Sequence, residues 1–310
     1  MLRDGKQYNI NYDLDGNPLL LDPATGEVTQ GFLTPVFPGD KITTPAQQEA
    51  NRNYIDSIKR AVGRRTASRD LGKYFFIAGG QRFSDVKPQT AARLVYLQTY
   101  CDFAEEKGNR LKLSTKRDMR RSDLHKVLGL SYDATNSFWK EVFGKYLLED
   151  ENGLIFSHKD VFVRGKIEPG CKYYRAYVRG VRKLYEDTPK SKHKHLGYVF
   201  SLLPFINTEF NVLCFNPDEK DIDRIEFMTL SDFCDLIGFE KSNLHRLLAI
   251  YRGLRFTAKN NSDIAQTERF VSVVYDGIDQ TKARIFINPR IVYSGSAHEQ
   301  VQILGAFCKE

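Results

Sequence analysis

No Cys-x-x-Cys pair occurs in this chain. Its five cysteines, Cys101, Cys171, Cys214, Cys234 and Cys308, are odd in number and widely scattered. That spacing fits neither a disulfide framework nor a zinc finger, so buried free thiols in a reducing compartment are expected. No run of eighteen apolar residues is present, which predicts no membrane-spanning helix. The first residues, Met1-Leu2-Arg3-Asp4-Gly5-Lys6, lead into polar sequence. No signal peptide is expected, and the expected location is the cytoplasm. Gly79-Gly80-Gln81 lacks both the spacing and the Gly-Lys-Ser/Thr ending of a phosphate loop. Hydrolase elbows are missing as well. His193-Lys194-His195 with nearby Tyr198 invites comparison with a metal-dependent DNA-nicking site. A Lys stands there in place of a hydrophobic residue, inside a basic segment. Asp218, Glu219, Asp221 and Asp223 lack calcium-loop spacing and read as a solvated turn. No catalytic residue, no cofactor and no metal site is expected.

Basic residues are not scarce, and they are uneven. The net charge is +7 over 310 residues. Residues 166–200 hold nine Lys and Arg against three acids, a local excess of six. A polyanion is the natural partner of such a stripe. The 21 Phe and 16 Tyr residues are enough to fill sizeable cores in a chain of this length.

The chain also says nearly the same thing twice. Met119-Arg120-Arg121-Ser122-Asp123-Leu124-His125-Lys126-Val127-Leu128-Gly129-Leu130 recurs as Met228-Thr229-Leu230-Ser231-Asp232-Phe233-Cys234-Asp235-Leu236-Ile237-Gly238-Phe239. Met, Ser, Asp and Gly match identically, and the apolar positions stay apolar. A shift of 109 also lays Phe138, Trp139 and Val142 on Leu247, Leu248 and Tyr251. Repetition on this scale implies two copies of one folding unit.

Each copy reads as helix, helix, glycine turn, helix and hairpin. In the first, Ala91 to Cys101 forms helix one and Ser122 caps helix two. Gly129 ends helix two in a left-handed turn, and helix three runs from about 131 to 143. The turn Glu151-Asn152-Gly153 then joins two short strands. In the second, helix one spans roughly 196–210 with Pro204 splitting it. Ser231 caps helix two, Gly238 ends it, and Ser242 caps helix three. Phe270–Tyr275 and Ala283–Ile287 pair about Asp276-Gly277. Ahead of both copies, Asp15-Gly16-Asn17 suggests a small hairpin or a loose arm. Thr44-Pro45 opens a helix that ends toward Gly63, and Tyr74–Ile77 reads as a strand.

Leu203-Pro204-Phe205, Met228 to Phe233, Ile287-Asn288-Pro289 and Gly295 resemble the winged-helix replication initiators and related regulators of bacterial plasmids and phages. The resemblance covers residues 81–168 and 196–300. It implies origin or operator binding without catalysis. The expected fold is therefore α+β and mainly helical, with two tandem winged helix-turn-helix domains joined by a basic helix. The expected divisions are an N-terminal extension over 1–80, a first winged helix over 81–168, a basic linker helix over 169–195, and a second winged helix over 196–310.

On that reading the partner is double-stranded DNA, with replication or regulatory proteins as further partners. The outward residues of the third helices would face it: Tyr132, Thr135, Asn136 and Lys140 in the first copy, Lys241, Asn243, His245 and Arg246 in the second. Lys172, Arg175, Arg179, Arg182 and Lys183 fall on one side of a 100° wheel and would face phosphates. Glu149-Asp150-Glu151 would repel a phosphate backbone from the first hairpin tip. Replication initiation of a plasmid or phage and transcriptional repression in a mobile element are the two roles that fit. A protein-protein adaptor is the alternative of another class.

Overall fold

Two aromatic runs a hundred residues apart organise the molecule. In the computed structural model, Tyr74–Ala78 lies at the centre of a three-stranded antiparallel sheet between Phe162–Val163 and Tyr173–Tyr177. The structure describes residues 2–3, 6–7, 9–12, 18–30, 45–105, 108–168, 170–259, 265–276 and 279–308. They divide into two compact units, residues 1–55 and 56–310.

In the first unit, Asn9–Tyr12 pairs with Pro18–Leu21, which pairs in turn with Val28–Gln30, all antiparallel. Asp22 Oδ1 accepts from the backbone N–H of Ala24 at 2.8 Å and so fixes the second turn. The Asp15-Gly16-Asn17 turn and Thr44 lie outside the described residues.

Helix α1 runs from Pro45 to Leu71. It does not stop at Gly63, because Gly63 sits where an added Cβ would collide with the Ser296 carbonyl. Contact with Ser296 explains the glycine, not a helix end. In residues 56–310, α2 spans Pro88–Leu97 and α3 Leu124–Leu128; α4 follows over Tyr132–Val142. Beyond them come α5 (Val178–Asp187), α6 (His193–Ser201), α7 (Leu230–Ile237), α8 (Leu244–Gly253) and α9 (His298–Gly305).

The duplication is visible at its turns. Gly129 has φ 62° and ψ 37°; Gly238 has φ 64° and ψ 36°. The next residue in each copy, Leu130 or Phe239, donates its N–H back to His125 or Cys234 at 2.9 Å. This closes the helix with the same left-handed cap twice.

Around those turns, the expected architecture is corrected. Helix takes 45% and strand 24%, arranged in several antiparallel sheets, so the fold is α+β but not mainly helical. Two tandem winged-helix domains joined by a basic helix are not what forms. One hydrophobic core contains Leu94, Phe138 and Trp139 from the first copy together with Leu196, Phe233 and Leu247 from the second. α2 and α6, the first helices of the two copies, pack against each other, and Gly197 of α6 meets the Pro88 backbone. Of the central sheet, Phe162–Val163 belongs to the first copy, while Tyr74–Ala78 and Tyr173–Tyr177 lie outside both.

The basic segment is no linker helix either. Residues 173–177 are a strand, α5 occupies only 178–187, and α6 begins at His193. Tyr-Tyr-Arg-Ala-Tyr satisfies a strand's period of two once a neighbouring strand is available, and Tyr74–Ala78 supplies one.

Several smaller expectations also change. The first helix of copy one ends at Leu97, and Cys101 begins a strand, Cys101–Glu105, paired with Gly108–Ser114. α6 ends at Ser201, before Pro204, with only a short 3-10 turn over Leu203–Phe205. Ser231 lies inside α7. Thr229 is the cap, its hydroxyl accepting from Asp232 N–H while Asp232 accepts from Thr229 N–H. Ser122 and Ser242 lie inside 3-10 turns and cap nothing. The hairpin that follows α8 directly is Arg255–Lys259 with Ala265–Arg269. Val271–Asp276 with Asp279–Ile287 is a further hairpin, and Gly277 of its turn lies outside the described residues. In the first copy, Leu147–Glu149 pairs with Ile155–Ser157 as the Asn152-Gly153 turn predicts.

Candidate nucleic-acid interface

Ser131 caps α4, its hydroxyl accepting from Ala134 N–H at 3.3 Å. Phe138, Trp139 and Val142 take its inner face. Thr135 sits one turn before Trp139 on the same face. It is 5% exposed, and its hydroxyl donates to the Ser131 carbonyl at 2.8 Å. Thr135 is therefore withdrawn from the outward set. Tyr132, Asn136 and Lys140 do face outward. Tyr132 is 69% exposed and stacks on His125 at 4.5 Å. Asn136 accepts from Arg121 at 3.1 Å, and Arg121 lies over the Trp139 ring at 5.6 Å. A cation is thus pinned beside the outward face of α4.

α8 begins at Leu244, so Lys241 and Asn243 stand in the 3-10 turn before it rather than on the helix. Lys241 is paired with Asp235 at 2.8 Å, and Asn243 donates to Glu240 at 3.0 Å. His245 and Arg246 occupy the first turn of α8 and are exposed.

Most of the expected cationic wheel is committed elsewhere. Lys172 pairs with Asp218 at 2.7 Å. Arg175 is 7% exposed and donates to the Gly295 carbonyl at 2.6 Å. Arg182 donates to the Thr99 carbonyl at 2.9 Å and lies 4.4 Å over Tyr100. Lys183 sits 3.7 Å from Glu186. Arg179 alone of the five is exposed with no ion pair among the described residues. Arg175 and Arg182 hold elements together and offer nothing outward.

The convergent cations lie just downstream instead. Pro189 ends α5, and a 3-10 turn over Lys190–Lys192 leads into α6. Lys190 Nζ donates to the carbonyl of Gly129, the turn of the first copy. Ser191, Lys192, Lys194 and His195 face Gly238 and Arg246 across a cleft of about 580 Å³. The segment 190–195 therefore bonds to the first helix-glycine-helix turn and faces the second across the cleft. Lys192, Lys194 and Arg246 form no ion pair among the described residues. The sequence marks these lysines only as part of a charge excess; their meeting with Gly238 depends on how α6 packs.

His195 lies at the back of this cleft. It is 3% exposed, and its Nδ1 has no hydrogen-bond partner among the described residues. Burial, then Lys194, Lys192 and Arg246, depress its pKa to about 4. Burial also lowers His193 and His298. A base depressed in the folded state stays neutral there while the unfolded chain takes up a proton below about pH 6.5. Stability is then whole above that pH and falls as the solution is acidified toward pH 4. For His195 the loss at pH 5 should reach about 2 kcal/mol. Urea midpoints at pH 7 and pH 5 measure it, and His195→Gln should narrow the gap. An unchanged gap would contradict this account.

Of the residues in the nicking-site comparison, His193 is engaged within the chain. His193 hydrogen-bonds the carbonyls of Thr188 at 2.9 Å and Tyr185 at 3.2 Å, and its ring lies tilted against Tyr185 at 4.1 Å. Among the described residues, the only group with metal-ligand proximity is Asp70, His298 and Glu299, whose ligand atoms lie within 4.8 Å of one another. The Asp218–Asp223 turn is held by Glu219 accepting from the N–H groups of Lys220 and Asp221, and those bonds lower the Glu219 pKa. Cys101, Cys214 and Cys234 are buried as expected, and burial pushes Cys101 up to about 12 and Cys214 to about 11. Cys171 and Cys308 are exposed. No helix among the described residues is long and apolar enough to cross a membrane. Comparison with protein-family models, with curated proteins and with solved structures gives no match.

Proposed function

We propose that this chain binds double-stranded DNA site-specifically through the surface formed by the segment 190–195, the two glycine turns and the outward residues of α4 and α8. One observation carries the reading. Three cations, Lys192, Lys194 and Arg246, converge on one cleft and form no ion pair among the described residues; the acid that lines it, Glu240, accepts from Asn243. Like charges held close together repel and keep counterions near, and a polyphosphate releases those ions on binding. Tyr132, Asn136 and Lys140 on one side, and His245 and Arg246 on the other, supply polar groups for base edges. Asn pairs with adenine and Arg with guanine in the major groove. Origin binding for plasmid or phage replication and operator binding for repression make the same demand on this face.

The exposed rings of Tyr132 and Phe143, 69% and 50% accessible, favour a second reading in which α4 docks a protein. Gel shifts against the DNA flanking the protein's own gene separate the two. A discrete shift that survives competitor DNA, with affinity falling about as the third to fifth power of salt concentration, supports duplex recognition. No sequence preference and no salt dependence would leave the protein-docking reading in its place.

A further inference from the structure

A sheet with one face in the core ordinarily shows polar residues on the other. The central three-stranded sheet breaks that pattern. Phe75, Ile77, Phe162, Tyr174 and Ala176 form its buried face. The register sets Tyr173 opposite Ala78 and Arg175 opposite Phe76. Alternation therefore puts Tyr74, Phe76 and Tyr173 on the other face, which they share with the buried Tyr177 and with the buried Arg175, 5.9 Å over the Tyr74 ring. Phe76 meets Tyr74 edge-on at 5.2 Å and Tyr173 at 5.9 Å between ring centroids. All three rings are partly exposed and line a cleft of about 730 Å³.

Cations border these rings. α1 contributes Arg60, Arg64 and Arg65, and Lys220 lines the same cleft. Arg64, Arg65 and Lys220 are without ion pairs among the described residues. The one acid lining the cleft, Glu209, is engaged by Ser296, accepting from its N–H at 3.2 Å and its hydroxyl at 3.3 Å.

We propose that this cleft binds single-stranded nucleic acid, with unpaired bases stacking on the Tyr74, Phe76 and Tyr173 surface and phosphates meeting Arg64, Arg65 and Lys220. Duplex bases are already stacked on one another and cannot use such a surface; single strands combine exposed π-faces with a charged backbone. A lone nucleotide would need one ring, and here three stand in a row. No residue lining this cleft lines the one around Lys194 and Arg246. The site therefore stands apart from the duplex reading.

Fluorescence anisotropy with labelled oligo(dT) and oligo(rU) of about twelve nucleotides, on the full chain at low salt, tests it. Arg64→Glu with Arg65→Glu should weaken single-strand binding about 30-fold, and Tyr173→Ala about 10-fold, while duplex affinity changes by less than about 3-fold. Lys194→Glu with Arg246→Glu should give the opposite pattern. Cys171 lines the same cleft and is exposed, so the wild-type chain offers a second measurement. The oligonucleotide should slow maleimide labelling of Cys171 several-fold, with exposed Cys308 as internal reference. Absent single-strand binding, equal losses on both substrates, an unprotected Cys171, or a mononucleotide binding as tightly as the twelve-mer would each overturn the proposal. Loss of duplex binding alone would remove only the earlier reading.

Discussion

Gly197→Ala is expected to cost about 4 kcal/mol or more and to unfold both copies together. Helix propensity argues for the opposite sign, since Ala in place of an interior helical Gly gains about 1 kcal/mol. Sterics decide against it. A Cβ on Gly197 would overlap the Pro88 carbonyl and stand 2.9 Å from Pro88 Cα. Those atoms are backbone, and the proline ring fixes φ at the start of α2, so neither can turn aside. The helices must separate, opening the layer of Leu94, Leu97, Leu196, Val199 and Phe200, each no more than 2% exposed. Trp139, the chain's one tryptophan, belongs to the first copy and reports the outcome of a change made in the second. In urea its fluorescence should follow the far-ultraviolet signal in the wild-type protein and fall with it in the variant. Gly253→Ala, where an added Cβ meets nothing within 4 Å, is the control and should be neutral or mildly stabilising. A Trp139 transition left at the wild-type midpoint in Gly197→Ala would mean that the copies fold separately.

What the sequence makes legible here is local. Gly129 and Gly238 announce their left-handed caps because a helix that must turn back on itself there favours glycine. Asn152-Gly153 announces its hairpin for a similar reason: Gly153 has φ 73°. The limits of α4 follow from Ser131 and the spacing of its apolar residues. The Thr229 cap is also local, since Asp232 three residues later completes a capping box, although the matched serines at 122 and 231 draw attention away from it. Arg255-Phe256-Thr257-Ala258-Lys259 alternates as a strand should, but the stronger apolar run over 270–275 competes with it for the role of first hairpin.

The central sheet is a different matter. Tyr74–Ala78 reads as a strand by itself, yet nothing near it in sequence names Tyr173–Tyr177 as its neighbour. That partnership turns Arg175 inward to the Gly295 carbonyl and removes the basis of a helical wheel drawn from 172 to 183. The site inherits the same difficulty. His245 and Arg246 stand where a third helix would place them, whereas Lys192 and Lys194 gain meaning only once α6 has brought them to Gly238.

Reversing three charges at that place, Lys192→Glu, Lys194→Glu and Arg246→Glu, should weaken duplex binding about a thousandfold near 0.1 M salt. If each cation neutralises one phosphate, the slope of log affinity against log salt should shrink by about 2.7, with repulsion from the new carboxylates adding to the loss. Folding should survive, because Lys194 and Arg246 are exposed and Lys192 is partly so. A second readout follows from His195. These three cations contribute to holding its imidazole neutral, so glutamates in their place should raise its pKa toward the ordinary value and make the variant less sensitive to acid. Arg182→Glu serves as the contrast. It removes a bond to the Thr99 carbonyl and a stacking contact on Tyr100, so it should lower stability while leaving the salt slope of duplex binding as it was. Should the triple variant keep wild-type affinity at every salt concentration, the cleft between segment 190–195 and the turn at Gly238 has no part in holding duplex DNA.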